Sequence, residues 1–213
     1  MNNGFHIRPA QEAKQDSTFI LQAHDSAVRY LTDTVGSNQW GNQPFSTRER
    51  AVTLIKQLVI KSEEELQGDQ YIRTVIAEKL SQDGRQTIKC GAATVDAVFP
   101  TYVTNVEELR AHIRSTIESK DFLYLDRLIS DRNTPDNLSK GVGKALLDYC
   151  KSLTRKEGKR FLFSDCFAGP PFGLREYYQS QGFRIIGPFG VPNKHVDGTD
   201  WPGVLLCCDL MKE

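Results

Sequence analysis

The chain lacks any imbalance of charge: Lys plus Arg and Asp plus Glu both number 27, so there is no basic excess to hold nucleic acid or an anionic membrane. It also lacks a long apolar run. No stretch approaches the roughly 20 residues of a bilayer span, and residues 1–10 hold no apolar signal-peptide core. The expectation is a protein that stays in the cytoplasm, where it is made, without nucleic acid or membrane as a partner. Cysteine is sparse and unpatterned. Cys90, Cys150, Cys166, Cys207 and Cys208 are odd in number, show no CxxC spacing and accompany four scattered histidines, so no metal site is expected. Buried reduced thiols are the plain reading, with Cys207 and Cys208 on opposite faces of one strand. No internal repeat or low-complexity tract occurs. The apolar share of 39% instead supports an ordinary packed core.

Periodicity orders the elements. A brief alternation at residues 5–8 stops at Pro9 as a short strand, and Ile20, Ala23, Ala27, Val28 and Leu31 form a helical stripe within residues 11–34. A loop rich in Gly and Asn covers residues 35–45. Ser46 with Glu49 reads as a capping box opening a second helix, whose stripe is Val52, Ile55, Leu58, Val59 and Leu66. The period then becomes two. Residues 71–80 and 87–98 are β-branched strands around an Asp83-Gly84 turn. Thr104 and Glu107 suggest another capping box and a short helix, followed by a strand at 121–130 and a helix at 140–157. Residues 160–164 form a short strand. A helix at 172–180 ends at Gly182, and strands at 183–186 and 204–210 are joined by a long Gly/Pro-rich loop. Seven strands and five helices in this order specify one mixed α/β domain.

The chief chemical signal is the turn Gly141-Val142-Gly143 at the start of a helix. A helix N-terminus offers unpaired N–H groups to an anion, and glycine lets the backbone approach it. Lys140 and Lys144 flank the turn and add charge for a pyrophosphate. A Walker loop would require glycine at Leu138 and Ser or Thr at Ala145, and a dinucleotide fingerprint would require glycine at Leu146. Both are excluded.

The run YLDRLISDRNTPDNLSKGVGKALLDYC, residues 124–150, resembles the acetyl-CoA motif of the GNAT superfamily: strand, loop, R/Q-x-x-G-x-G/A, amphipathic helix. Gly141 and Gly143 match its small positions, and Leu138 stands where the family usually has Arg or Gln. A second block, LFSDCFAGPPFGLREYYQSQGF, resembles the family's next strand and helix and ends in Y-x-x-x-G-F spacing at Tyr178, Gly182 and Phe183. Pro170 stands where an Asn is common. FHIRPA at residues 5–10 resembles the family's first strand. The resemblance implies a single GNAT-type domain over residues 1–213: an α/β fold, mixed and α+β-like. Its seven-stranded sheet would be mostly antiparallel, with a central parallel splayed strand pair flanked by helices. Residues near 103–119 would be a helical insertion.

The same resemblance implies an N-acetyltransferase that passes the acetyl group of acetyl-CoA to a primary amine by direct attack in a ternary complex, as monomer or homodimer. It places the cofactor on Leu128, Ile129 and Ser130 of the fourth strand and on Ser139, Lys140, Gly141, Val142, Gly143 and Lys144 of the turn. Tyr178 matches the family's general acid. Asp126 is the candidate base, with Glu78 or a water molecule as alternatives. Trp40 and Phe45, with Phe189, His195, Asp197, Asp200 and Trp201 of residues 187–202, suit a cationic amine with an apolar body, such as a small molecule. A peptide or protein acceptor and a non-catalytic acyl-CoA-binding module remain alternatives.

Overall fold

Among the described residues, alternating β-branched and aliphatic residues build seven strands, and apolar stripes at helical spacing bury six helices against them. The computed structural model describes residues 4–37, 39–171, 173–192 and 198–211. Along the chain run β1 (His6–Pro9), α1 (Asp16–Tyr30), α2 (Glu49–Glu63), β2 (Ile72–Leu80), β3 (Thr87–Asp96), α3 (Thr101–Thr104) and α4 (Glu107–Ser119). There follow β4 (Phe122–Ser130), α5 (Val142–Lys156), β5 (Phe161–Phe167), α6 (Gly173–Ser180), β6 (Arg184–Val191) and β7 (Trp201–Asp209). The strands form one sheet in the order β1-β2-β3-β4-β5-β7-β6. Every neighbouring pair is antiparallel except β4 with β5. This is the mixed sheet with a central parallel pair that was expected.

One face carries α5 and α6 over Leu123, Leu125, Leu162, Val204 and Leu206. The other face has two separate covers. Helices α1 and α2 lie over Ile76, Ala92 and Ile129, whereas α3 and α4 lie over Phe122, Tyr124, Phe163 and Leu205. Cys207 and Cys208 fall in opposite layers, as strand alternation requires, and the five cysteines are free and buried. Among the described residues no helix is long and apolar enough to cross a membrane. No group of three or more His, Cys, Asp or Glu is arranged to hold a metal there.

Several boundaries differ from the sequence reading. Neither capping box forms. Phe45–Thr47 coils into a short 3-10 turn in which the Thr47 hydroxyl donates to Pro44 O at 2.8 Å, so α2 starts only after Arg48, in extended conformation. Thr104 closes α3 by donating to Thr101 O at 3.3 Å, which makes Val106 the cap of α4. The last two strands are longer than expected. Phe189 belongs to β6 and Trp201 opens β7, so the connection shrinks to 192–200, of which 193–197, with His195 and Asp197, lie outside the described residues. Strand β5 also runs on to Phe167, three residues past the expected Ser164, because Phe163 and Phe167 continue the alternation into the core.

A buried ion cluster fastens β1, α1 and the β2–β3 hairpin. Asp16, fully enclosed, meets Arg8 Nη1 at 2.6 Å and Lys89 Nζ at 2.7 Å and accepts the Gln11 N–H at 2.8 Å. Arg8 also grips Glu78 at 2.6 Å. Glu78 is therefore committed to this cluster on the outer strands, away from the β4–β5 pair, and drops out as a base. Burial alone would raise the Asp16 pKa, but hydrogen bonds from Arg8 and Lys89 outweigh it and hold the carboxyl below its ordinary range. A carboxylate depressed in this way stabilises the fold at neutral pH and loses that contribution as pH falls through its folded pKa. Asp16→Asn leaves Lys89 without its carboxylate and Arg8 with Glu78 alone, and should cost about 3 kcal/mol at pH 7. In urea melts the gap from wild type should narrow toward pH 3; a constant gap would mean that shape, not charge, matters there.

Candidate functional site

The site begins where the parallel pair parts. β4 and β5 are in register only from Phe122 with Phe161 to Leu125 with Ser164. Beyond that rung each strand is paired on its outer edge alone, β4 with β3 and β5 with β7, so their inner edges open into a cleft. A bulge helps to turn β4 away: Leu125 and Arg127 face Val95 and Thr94, consecutive residues of β3, which leaves Asp126 as the extra residue. The Ser164 hydroxyl donates to Leu125 O at 3.0 Å and stitches the last rung. Tyr178, on α6, meets this same serine through its phenol. Its ring packs edge-on to Phe183 at 5.4 Å, which fixes why Phe183 follows the Gly182 stop. Burial pushes the Tyr178 pKa up, and the Ser164 contact offsets only part of that, so the phenol keeps its proton at neutral pH.

At the wide end of the cleft stands the N-terminus of α5. Gly141 caps the helix with φ +87°, a conformation that favours glycine. The next N–H groups, of Gly143 and Lys144, have no intrahelical carbonyl to meet. A Cβ on Gly143 would lie 3.0 Å from Tyr177 Oη and 3.9 Å from Ser130 Oγ. A glycine, a serine and a phenol thus surround these N–H groups, a cradle suited to a pyrophosphate. The Val142 side chain is buried in the core, so it offers the backbone only, as does the buried Leu138. Lys140 is exposed, and Lys144 forms an i,i+4 pair with Asp148 at 2.8 Å. Leu128 and Ile129 pair with Ala93 and Ala92 on one edge and border the cleft with the other. The hydroxyl of Tyr177, the residue before Tyr178 on α6, sits at the cradle.

The face of the cleft opposite α5 is acidic and phenolic. Asp165, one residue beyond the last rung of β5, accepts hydrogen bonds from Tyr102 Oη at 3.1 Å and from Tyr124 Oη. Asp126 occupies the corresponding place on β4, beside Arg127 at 3.1 Å. Burial, followed by the charge of Asp165, raises the pKa of both phenols, and burial followed by Asp126 raises that of Asp96 nearby. Phe189 stacks on Tyr102 at 5.6 Å, and Trp201 Nε1 donates to Gln39 O at 2.9 Å, joining the 37–45 loop to β7. Asp200 is exposed at the rim of that junction.

Trp40 and Phe45 gather around His24 of α1. Phe45 stacks on the imidazole at 4.6 Å and Trp40 meets it edge-on at 5.4 Å. The Ser26 hydroxyl, accepting the Arg132 N–H at 2.8 Å, holds α1 against the exit of β4. Burial, then the charges of Arg127 and Arg48, pushes the His24 pKa down to about 3. Sequence reading missed Asp165, Tyr102, Arg127 and His24. Period two from Phe163 through Asp165 to Phe167, and the place of His24 on the Ile20–Ala27 stripe, were available signals. Nothing local marks Tyr102 or Arg127.

Two outcomes are expected. Gly143→Val fills the cradle while avoiding the positive φ of Gly141, and should weaken CoA binding at least about tenfold by calorimetry with the melt little changed. Unaltered affinity would remove the phosphate site from this turn. For His24, the unfolded chain takes up a proton below about pH 6.5 that the fold refuses until about pH 3, so stability falls as pH falls across that window. The slope reaches up to about 1.4 kcal/mol per pH unit, and His24→Phe should remove it from acid-limb denaturation; equal slopes would contradict a neutral buried ring.

No family model matches the sequence, and no curated protein matches it. Solved structures do match. An acetyltransferase assigned to the GNAT family from Desulfovibrio desulfuricans is 18% identical, with 97% of this chain and 99% of that chain covered at a TM-score of 0.56. A ribosomal-protein-alanine N-acetyltransferase from Brucella melitensis is 16% identical, with 96% and 99% covered at 0.57. PaiA N-acetyltransferase from Thermoplasma acidophilum, in complex with coenzyme A, is 14% identical, with 96% and 98% covered at 0.52. From its strand order, its parted parallel pair and these likenesses, the chain has the fold of the GNAT acetyltransferases.

Proposed function

We propose that the protein is an N-acetyltransferase that carries the acetyl group of acetyl-CoA to a primary amine of a small molecule, by direct attack in a ternary complex. The observation that carries this reading is the β4–β5 cleft, with a glycine cradle at one end and a buried protonated phenol at its apex. The co-substrate, when bound, supplies an acetyl thioester. The cradle of Gly141, Gly143, Lys144, Ser130 and Tyr177 would hold its pyrophosphate, and the free edge of Leu128–Ser130 would hold its arm; Ser139, Lys140 and Val142 shape the turn. Neighbouring GNAT structures contain acetyl-CoA or CoA, which supports that choice.

The chemistry needs a free amine lone pair, a carbonyl carbon to receive it and a proton for the departing thiolate. Asp126 and Asp165, on the acceptor side, attract an ammonium and can take its proton, either directly or through water. As the new N–C bond forms the C–S bond breaks, and Tyr178 delivers its proton to the sulfur. Trp40, Phe45 and Trp201 frame the side from which the amine enters. A second reading, a non-catalytic acyl-CoA-binding module, draws on the core placement of Leu138, which leaves the turn without the family's polar side chain.

Thiol release from acetyl-CoA across a panel of amines separates the two. Turnover with some member is expected; thermal stabilisation by CoA with no turnover at all would favour the module. Tyr178→Phe keeps the ring and its packing on Phe183 while removing the proton. Turnover should fall roughly 10²-fold, with CoA affinity and melting temperature nearly unchanged. A large drop in melting temperature would mark Tyr178 as a packing residue.

A further inference from the structure

Among the described residues six buried side-chain polar atoms lack a hydrogen-bond partner, and four of them belong to three neighbouring residues, His24 (Nδ1 and Nε2), Arg48 (Nε) and Arg127 (Nε), the two arginines both acting on the imidazole by their charge. Such clustering is costly in a fold that has nothing to place there. The imidazole is only 4% exposed, with the partly buried rings of Trp40 and Phe45 packed on it. Arg48, 4.3 Å from the Phe45 ring centre, spends Nη2 on neutral carbonyls, Trp40 O at 2.7 Å and Gln43 O. The acid nearest in effect to Arg48 is Asp25, whose carboxylate also accepts the Ser46 N–H at 3.1 Å. Arg127 faces Asp126 at 3.1 Å, but its Nε–H is not aligned to donate.

These atoms are donors, or in the imidazole a donor and an acceptor, and two of the three groups are cations. A water molecule could meet one or two N–H groups yet would leave the Arg48 guanidinium, bound to neutral carbonyls, beside a ring that stays neutral, with only Arg127 paired to a carboxylate. An oxyanion accepts from several donors at once and balances the charge. Immediately beside Arg127 stands Asp126, with Asp165 across the cleft, so a cation-binding subsite adjoins the donor-rich recess within a few ångströms, about the spacing of consecutive residues.

We propose that the acceptor is zwitterionic, an amine carrying an oxyanion a few bonds away as a free amino acid does, with its oxyanion received by Arg48, Arg127 and His24. The ammonium then lies toward Asp126 and Asp165, facing the parted strands, and an apolar side chain lies against Trp40 and Phe45. The inference deepens the acetyl-transfer reading of the same site and rests on it.

The test compares matched pairs with the wild-type protein: L-phenylalanine with phenethylamine, and L-methionine with 3-(methylthio)propylamine. Thiol release is measured alongside calorimetric binding to the CoA-loaded protein. The acids should exceed their amines at least about tenfold in kcat/KM and in affinity. Arg48→Gln and Arg127→Gln should each erase that preference. Equal or better turnover of the plain amines overturns the inference and leaves acetyl transfer standing. Selective binding of the acids without any turnover supports the recess and sinks the enzymatic reading. If neither acid binds or reacts, the inference fails, whatever the variants do.

Discussion

Everything at this site depends on one rung of the sheet, Leu125 opposite Ser164, where the parallel strands stop pairing. A sheet normally satisfies each inner N–H and C=O with its neighbour. Here the bulge at Asp126 turns β4 while β5 remains bound to β7, and the two inner edges are exposed to a ligand. The Ser164 hydroxyl takes up Leu125 O, so the parting has a defined end rather than a frayed one. Tyr178 is placed by that serine and by Phe183, which puts its proton at the apex of the opening.

The covers on the two faces divide the work. On one face the single long helix α5 supplies backbone N–H groups at its start, which requires small residues there and excludes a side-chain role for Val142 or Leu138. On the other face two separate pairs of helices cover different strands, and Asp126, Asp165, Tyr102, Arg127 and His24 lie on that face. The Trp201–Gln39 hydrogen bond closes the rim by tying the first loop to the last strand. Charges elsewhere serve stability, as the Arg8–Asp16–Lys89–Glu78 cluster shows.

The buried state of the titratable groups gives the cleft its chemical character. Phenols raised by burial remain donors at neutral pH, and an imidazole lowered by burial and two arginines remains uncharged. Proton-holding and proton-accepting groups thereby meet on the face opposite α5, where Tyr102 and Tyr124 donate to Asp165, while Tyr178 holds its proton on the other face.

Local pattern determined the elements. Period-two and helical stripes gave the order of the strands and of all the helices but the short α3, though not the full length of β6 and β7; the Gly141–Gly143 turn marked the start of α5, and the spacing of Tyr178 to Phe183 marked α6, because each rests on residues close in the chain. Two capping boxes failed because Ser46 sits inside the 3-10 turn at Phe45–Thr47, its N–H donated to Asp25 of α1, and Thr104 donates back to Thr101 within α3, partners that a four-residue motif cannot register. What only the tertiary structure decided is which side chains meet. Glu78 went to an ion cluster on the outer strands, whereas Asp165, Tyr102 and Tyr124 converged from β5, α3 and β4. His24, Arg48 and Arg127 came together from a helix, a loop and a strand far apart along the chain. Such contacts depend on strand order and on one bulge, and neither leaves a period in the sequence.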